Sequence, residues 1–179
     1  TVDRPLKLRF QVTRDAIEKL KTSTQFTNLA TTKKKGKEGQ KEIAEGEKFQ
    51  QDIIDTLNSF GDKEYMNRDL FVGEIVKAFE SRGRKLSAPL LKAVLSAASV
   101  RDESADICVD SKDNPEPDSD LRDYENVPLK EDIQKYFKRE VIPYVPDAWI
   151  EESKTKIGYE VPFTRHFYVY QELRPLEVI

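Results

Sequence analysis

The sequence predicts a mainly helical domain with a minor β component. Three observations predict it. Between residues 13 and 100 apolar residues recur three and four apart, in stretches closed by glycine. Strict apolar-polar alternation is confined to residues 6–12, and an aromatic-rich extended run lies near the other end. From 101 to 128 acidic residues crowd together and Asn114-Pro115-Glu116-Pro117 breaks any regular element. The chain therefore divides into a strand (1–12), a helical region (13–100), an acidic loop or hairpin (101–128), and a segment of helix, tryptophan turn and extended tail (129–179). Short strands are expected near both ends and in the acidic loop.

Leu6, Leu8, Phe10 and Val12 alternate with Lys7, Arg9 and Gln11, the period of a strand with one buried face. Such a strand needs a sheet partner, either the run around 157–170 or the sheet of a preceding domain. Thr13 is placed to cap a helix carrying Ile17 and Leu20, which frays into the threonine-rich stretch from Thr22 to Thr32. The longest helix is expected over 37–60. Its stripe is Phe49, Ile53, Leu57 and Phe60, Gly61 ends it, and its polar first half points to solvent or a partner. Asn67 or Asp69 starts the next, with Phe71, Ile75, Val76 and Phe79 inward and Gly83 closing it. Ser87 caps another, with Pro89 in its first turn and Leu90, Leu91, Val94, Leu95 and Ala98 buried. These last two helices have the outline of a helix-turn-helix. However, Lys92 is the only basic residue on the second, so ordinary helix packing is the better reading.

Ala105 to Val109 reads as a short strand leading into turn residues, and most of the acidic stretch as surface loop. Any partner it meets would be basic. Pro128 enters a helix whose Ile133, Phe137 and Val141 share one face. Pro143 and Pro146 stop it, and Asp147 caps the turn that holds the only tryptophan, Trp149. Phe137 and Trp149 are the candidate packing anchors. Trp149→Ala would cost about 3–5 kcal/mol if the ring lies in a core. Beyond Gly158, Tyr159 and Phe163, further candidate packing or interface residues, belong to an extended aromatic run in which Pro162 confines the chain to an edge or bend.

With 179 residues, 35 % charged, and a mean hydropathy of −0.68, the chain is long enough for its own core and too polar for a membrane span. A cytoplasmic location is the expectation. Beginning at Thr1 with Met66 as the one methionine, it reads as a piece of a longer polypeptide. Cys108 is single, which excludes an internal disulfide and a cysteine zinc cluster. A net charge of −3 disfavours a free-standing DNA binder. The run Lys33-Lys34-Lys35-Gly36-Lys37 reads as a solvated loop, with sequence-independent DNA-backbone contact as the sharper alternative. No aromatic residue interleaves it. His166, the only histidine, has no nucleophile pattern around it and reads as a partly buried structural residue or an interface contact. Asp118, Asp120, Asp123 and Glu125 lack the glycine and terminal glutamate of a calcium loop.

Three runs carry a family resemblance. They are Leu121-Arg122-Asp123-x-Glu125-x-Val127-Pro128-Leu129; Glu140-Val141-x-Pro143-x-Val145-Pro146-Asp147-Ala148-Trp149; and Gly158-Tyr159-Glu160-x-Pro162-Phe163-Thr164-Arg165-His166-Phe167-Tyr168. Together they resemble the C-terminal signature of the modification subunit of type I restriction-modification systems. Arg4-Pro5-Leu6-Lys7-Leu8-Arg9-Phe10 resembles the segment that follows the methyltransferase domain there. Residues 14–120 match in general layout only. The resemblance implies a piece of a DNA adenine N6-methyltransferase that uses S-adenosylmethionine and works with a specificity and a restriction subunit. It further implies that the cofactor and Asn-Pro-Pro-aromatic catalytic motifs lie upstream of Thr1. The nearest string, Asn114-Pro115-Glu116, lacks the second proline and the aromatic, so neither cofactor binding nor methyl transfer is expected of this chain alone.

Overall fold

The computed structural model describes residues 1–158, and the fold is mainly α with minor β. Tyr159, Phe163 and His166, singled out above, lie outside the described residues. The N-terminal segment is the spine on which the rest is zipped. β1 (Val2–Asp3) pairs antiparallel with β5 (Trp149–Ile150). β2 (Leu8–Gln11) is the centre of an antiparallel sheet between β3 (Glu64–Tyr65) and β4 (Ser99–Arg101). Among the described residues the strand's partners are thus β3 and β4, on either side of it.

Local chemistry sets the helix ends. α1 (Arg14–Lys21) starts where the Thr13 hydroxyl accepts from the Ala16 amide. Where fraying was expected, a second helix forms. The Ser23 hydroxyl caps α2 (Thr24–Thr27), and a 3-10 turn (Asn28–Ala30) follows. α3 (Gly36–Asn58) ends before Gly61, whose φ of +57° only glycine adopts without strain. Asn67 caps α4 (Arg68–Ser81) through the amides of Asp69 and Leu70. Ser87 occupies the cap position of α5 (Ala88–Ala98), although its hydroxyl makes no capping bond.

The main core forms where these elements meet. Phe71, Ile75 and Phe79 of α4, Leu90, Val94 and Ala98 of α5, Ile53 and Leu57 of α3, and Phe10 of β2 are all buried together. Phe10 stacks on Phe71 with ring centroids 5.1 Å apart, and Tyr65 leans on the same ring. Burial of each such side chain stabilises the fold by about 1.5–3 kcal/mol. The apolar faces of α4 and α5 are consumed here, as ordinary helix packing requires.

The acidic stretch is not a free surface loop. The Leu6 amide donates to the Glu116 carbonyl at 2.8 Å, the Cys108 amide to the Leu6 carbonyl at 2.8 Å, and the Asp118 amide to the Arg4 carbonyl at 2.9 Å. Single bridges at Ile107 and Val109 replace the strand expected at 105–109. Its carboxylates find arginines within the fold. Asp118 accepts two bonds from Arg101 at 2.6 and 2.8 Å, Asp120 one at 2.6 Å, and Glu116 two from Arg68 at 2.7 and 3.0 Å. Of the four carboxylates Asp118, Asp120, Asp123 and Glu125, the first two are thus engaged by Arg101.

Candidate assembly surface

The segment from Leu121 to Gly158 carries a small core of its own. Pro128 opens a turn rather than a helix. The helix α6 (Ile133–Tyr136) begins five residues later, where the Asp132 carboxylate accepts from the Lys135 amide at 2.9 Å. It widens into a π turn (Phe137–Val141), marked by the Ile142 amide donating to the Phe137 carbonyl. Of the three residues expected on one face, Phe137 and Val141 are buried with Val2, while Ile133 stays 42 % exposed. Ile142, Ala148 and Ile150 pack around them. Trp149 is half-buried in β5 and belongs to neither core cluster, so it does not anchor the interior as Phe137 does.

Charge fixes this segment to the N-terminal spine. The Arg122 guanidinium donates twice to the buried Asp3 carboxylate, at 2.5 and 3.0 Å. Those bonds hold Asp3 below the ordinary carboxylate range despite burial. Val2 and Asp123 exchange backbone hydrogen bonds at 2.9 and 3.0 Å beside it. Asp147, expected to cap the tryptophan turn, instead accepts from Lys7 Nζ at 2.8 Å and lies 3.6 Å from Arg4 Nε. The bond from Lys7 lowers the pKa of Asp147, and the same contact raises that of Lys7. On the outer side, Arg139 spans Glu131 and Glu140 at 2.6 Å each, and the Tyr136 hydroxyl donates to Glu125 at 3.1 Å. Arg4 and Lys7 therefore meet Asp147, and Asp3, just ahead of them, meets Arg122 and β5.

The lysine run sits elsewhere, and it is anchored. Gly39 and Gly46, seven residues apart on α3, face the chain that crosses over them. A Cβ on Gly39 would stand 2.3 Å from the Lys34 carbonyl oxygen, and one on Gly46 1.9 Å from that of Leu29. Residues 28–34 thus lie against the polar first half of α3. Lys34 bonds Glu42 at 2.5 Å, and the Thr32 hydroxyl bonds the same carboxylate at 2.6 Å, which raises the lysine pKa and lowers the glutamate's. Lys33, Lys35 and Lys37 are exposed among Glu38, Glu42 and Glu45. These two glycines were passed over in the sequence, although glycines with no turn to serve inside a helical pattern were a signal that could have found them. That signal points to a close backbone approach.

Cys108 is buried, and burial pushes its thiol pKa up, which disfavours the thiolate. Among the described residues no helix is long and apolar enough to cross a membrane. No family model matches the chain, and no match was found among curated proteins or solved structures.

Proposed function

We propose that this chain is the C-terminal, non-catalytic assembly region of the modification subunit of a type I restriction-modification DNA adenine N6-methyltransferase. One observation supports the reading above others. The two sequence runs that resemble the family at opposite ends of the chain meet in space, through Arg4 and Lys7 with Asp147, and just ahead of the first run Asp3 meets Arg122 and Val2 meets Asp123. Residues that meet across the fold form one unit, and here the unit includes the point at which the chain would enter from the methyltransferase domain. Its job is orientation. Fixing the catalytic domain to a DNA-reading specificity subunit raises the effective concentration of the active site at the target without new base contacts. S-adenosylmethionine belongs to the parent's upstream domain, the restriction subunit joins the same assembly, and the setting is cytoplasmic.

The test is a pull-down of the matching specificity subunit by the 179-residue chain and by a Tyr144→Ala, Leu129→Ala double variant. Both positions are highly exposed large side chains of the signature segment, at 82 % and 70 %. Retention by the parent chain and at least tenfold weaker retention by the variant is the expected result. No retention by either, with salt-sensitive binding of duplex DNA abolished by Lys33→Glu and Lys35→Glu, would replace this reading with a DNA-backbone-binding module.

A further inference from the structure

The signature segment meets the rest of the protein at few points. Its small core, Val2, Phe137 and Val141 with Ile142, Ala148 and Ile150 around them, shares no residue with the main core that holds Phe10 and Phe71. Residues 1–3 belong to the same side. Val2 lies in the small core, Asp3 binds Arg122, and the Glu151 amide donates to the Thr1 carbonyl at 2.9 Å. Two stretches of chain, 3–4 and 120–122, cross next to each other to the body formed by residues 4–120. Val2 bridges Asp123 on one side of this crossing, and on the other the Asp118 amide donates to the Arg4 carbonyl at 2.9 Å. Among the described residues, the hydrogen bonds and ion pairs that run from 122–158 to 4–120 all start from one side chain, Asp147.

That one contact is uneven. One Asp147 oxygen accepts from Lys7 Nζ at 2.8 Å. The other stands 3.6 Å from Arg4 Nε, and both of these atoms are buried with no hydrogen-bond partner. Glu103, on the body, shares the same two cations at 3.3 and 3.5 Å. Buried polar atoms left without a partner carry a desolvation cost, and a pair of buried charges is not by itself strongly stabilising. We propose that residues 1–3 and 122–158 are an arm hinged at the 3–4 and 120–122 crossings, with Asp147 as the latch that sets its angle to the body. Opening breaks the Lys7 bond, leaves Arg4 and Lys7 beside Glu103, and lets water reach Arg4 Nε and the whole Asp147 carboxylate. The small core, the β1–β5 pairing and the Asp3–Arg122 pair lie inside the arm and stay intact. Such a movement costs far less than global unfolding, as sub-global openings do. The inference stands apart from the identity proposed above, because it concerns only contacts within the chain.

Distances between paired spin labels, measured by double electron-electron resonance in the full chain on a Cys108→Ala background, test it. The arm-to-body pair is Tyr144→Cys with Leu70→Cys, both positions being highly exposed. The control pair, Leu70→Cys with Lys92→Cys, lies wholly within the body, on α4 and α5. Asp147→Asn and Lys7→Met remove the latch from its two ends. Each is expected to at least double the width of the arm-to-body distance distribution while the control pair stays as in the parent. An arm-to-body distribution of parent width in either variant would overturn the proposal. Equal broadening of the control pair, which reports a general loosening of the fold, would overturn it as well.

Discussion

Replacing Gly46 by alanine is predicted to destabilise the protein, although the same change inside most helices stabilises it. Alanine is favoured over glycine in a helix interior by about 1 kcal/mol, through propensity and the smaller entropy of the unfolded chain. At Gly46 the new methyl would lie 1.9 Å from the Leu29 carbonyl oxygen and 2.8 Å from the Ala30 Cα, both backbone atoms that cannot rotate away. Relief requires the 3-10 turn to lift off α3. That movement puts at risk the burial of Phe26, about 1.5–3 kcal/mol, and the hydrogen bond from Gln50 to its carbonyl, about 1 kcal/mol. Less the helical gain, the net loss is about 1.5–3 kcal/mol. Gly73 provides the control, since it lies inside α4 and a Cβ there meets nothing within 4 Å. Gly73→Ala should gain about 0.5–1 kcal/mol. Urea denaturation followed by circular dichroism reads both as midpoint shifts of opposite sign. A Gly46→Ala protein at least as stable as the parent would refute the close-approach account of α3.

Three other outcomes are expected. Asp3→Ala removes the acceptor of two charge-assisted bonds from Arg122 and costs about 2 kcal/mol, measured by the same urea titration. Asp3, Asp118 and Asp147 have pKa values held below their unfolded values by Arg122, Arg101 and Lys7 respectively. The folded state therefore binds fewer protons, and this stability is fully present above about pH 5 and lost as pH falls below about 4. Melting temperatures taken from pH 7 to pH 3 should be flat and then drop, and a flat profile throughout would contradict these pairs. Trp149→Ala should cost about 1–2 kcal/mol, below the 3–5 kcal/mol of a core tryptophan, because the ring is only half-buried. A larger loss in the melt would place it in the interior.

Helix starts were legible because their causes are local. Thr13, Asn67 and the glycines at 61 and 83 act on residues within one turn of themselves, and the stripes Phe71-Ile75-Phe79 and Leu90-Val94-Ala98 report burial directly. Strand partners were not legible, since pairing Val2 with Ile150 spans nearly the whole chain and two-residue strands leave no periodic trace. The acidic stretch is a largely exposed loop, as expected, but composition averages over neighbours and could not show that Arg4, Leu6, Arg68 and Arg101 pin it to the fold. Its carboxylates are neutralised by Arg68, before the stretch, and by Arg101 at its edge. Asp147 was misplaced on similar grounds. A carboxylate after proline suits a cap, but the basic residues Arg4 and Lys7, distant in sequence, outcompete the backbone amides. In the candidate site, Phe137 was legible from its helical spacing with Val141. Only the fold could show that Trp149 sits at a sheet edge.

Under the function proposed above, this region orients a catalytic domain and takes no part in the chemistry. Deleting it from the proposed parent, a modification subunit, and measuring S-adenosylmethionine affinity and site-specific DNA methylation with the specificity subunit present is the decisive experiment. Unchanged cofactor affinity and methylation reduced at least 100-fold are the expected results. Methylation at the parent's rate, or loss of cofactor binding from a truncated subunit that stays folded, would contradict that role.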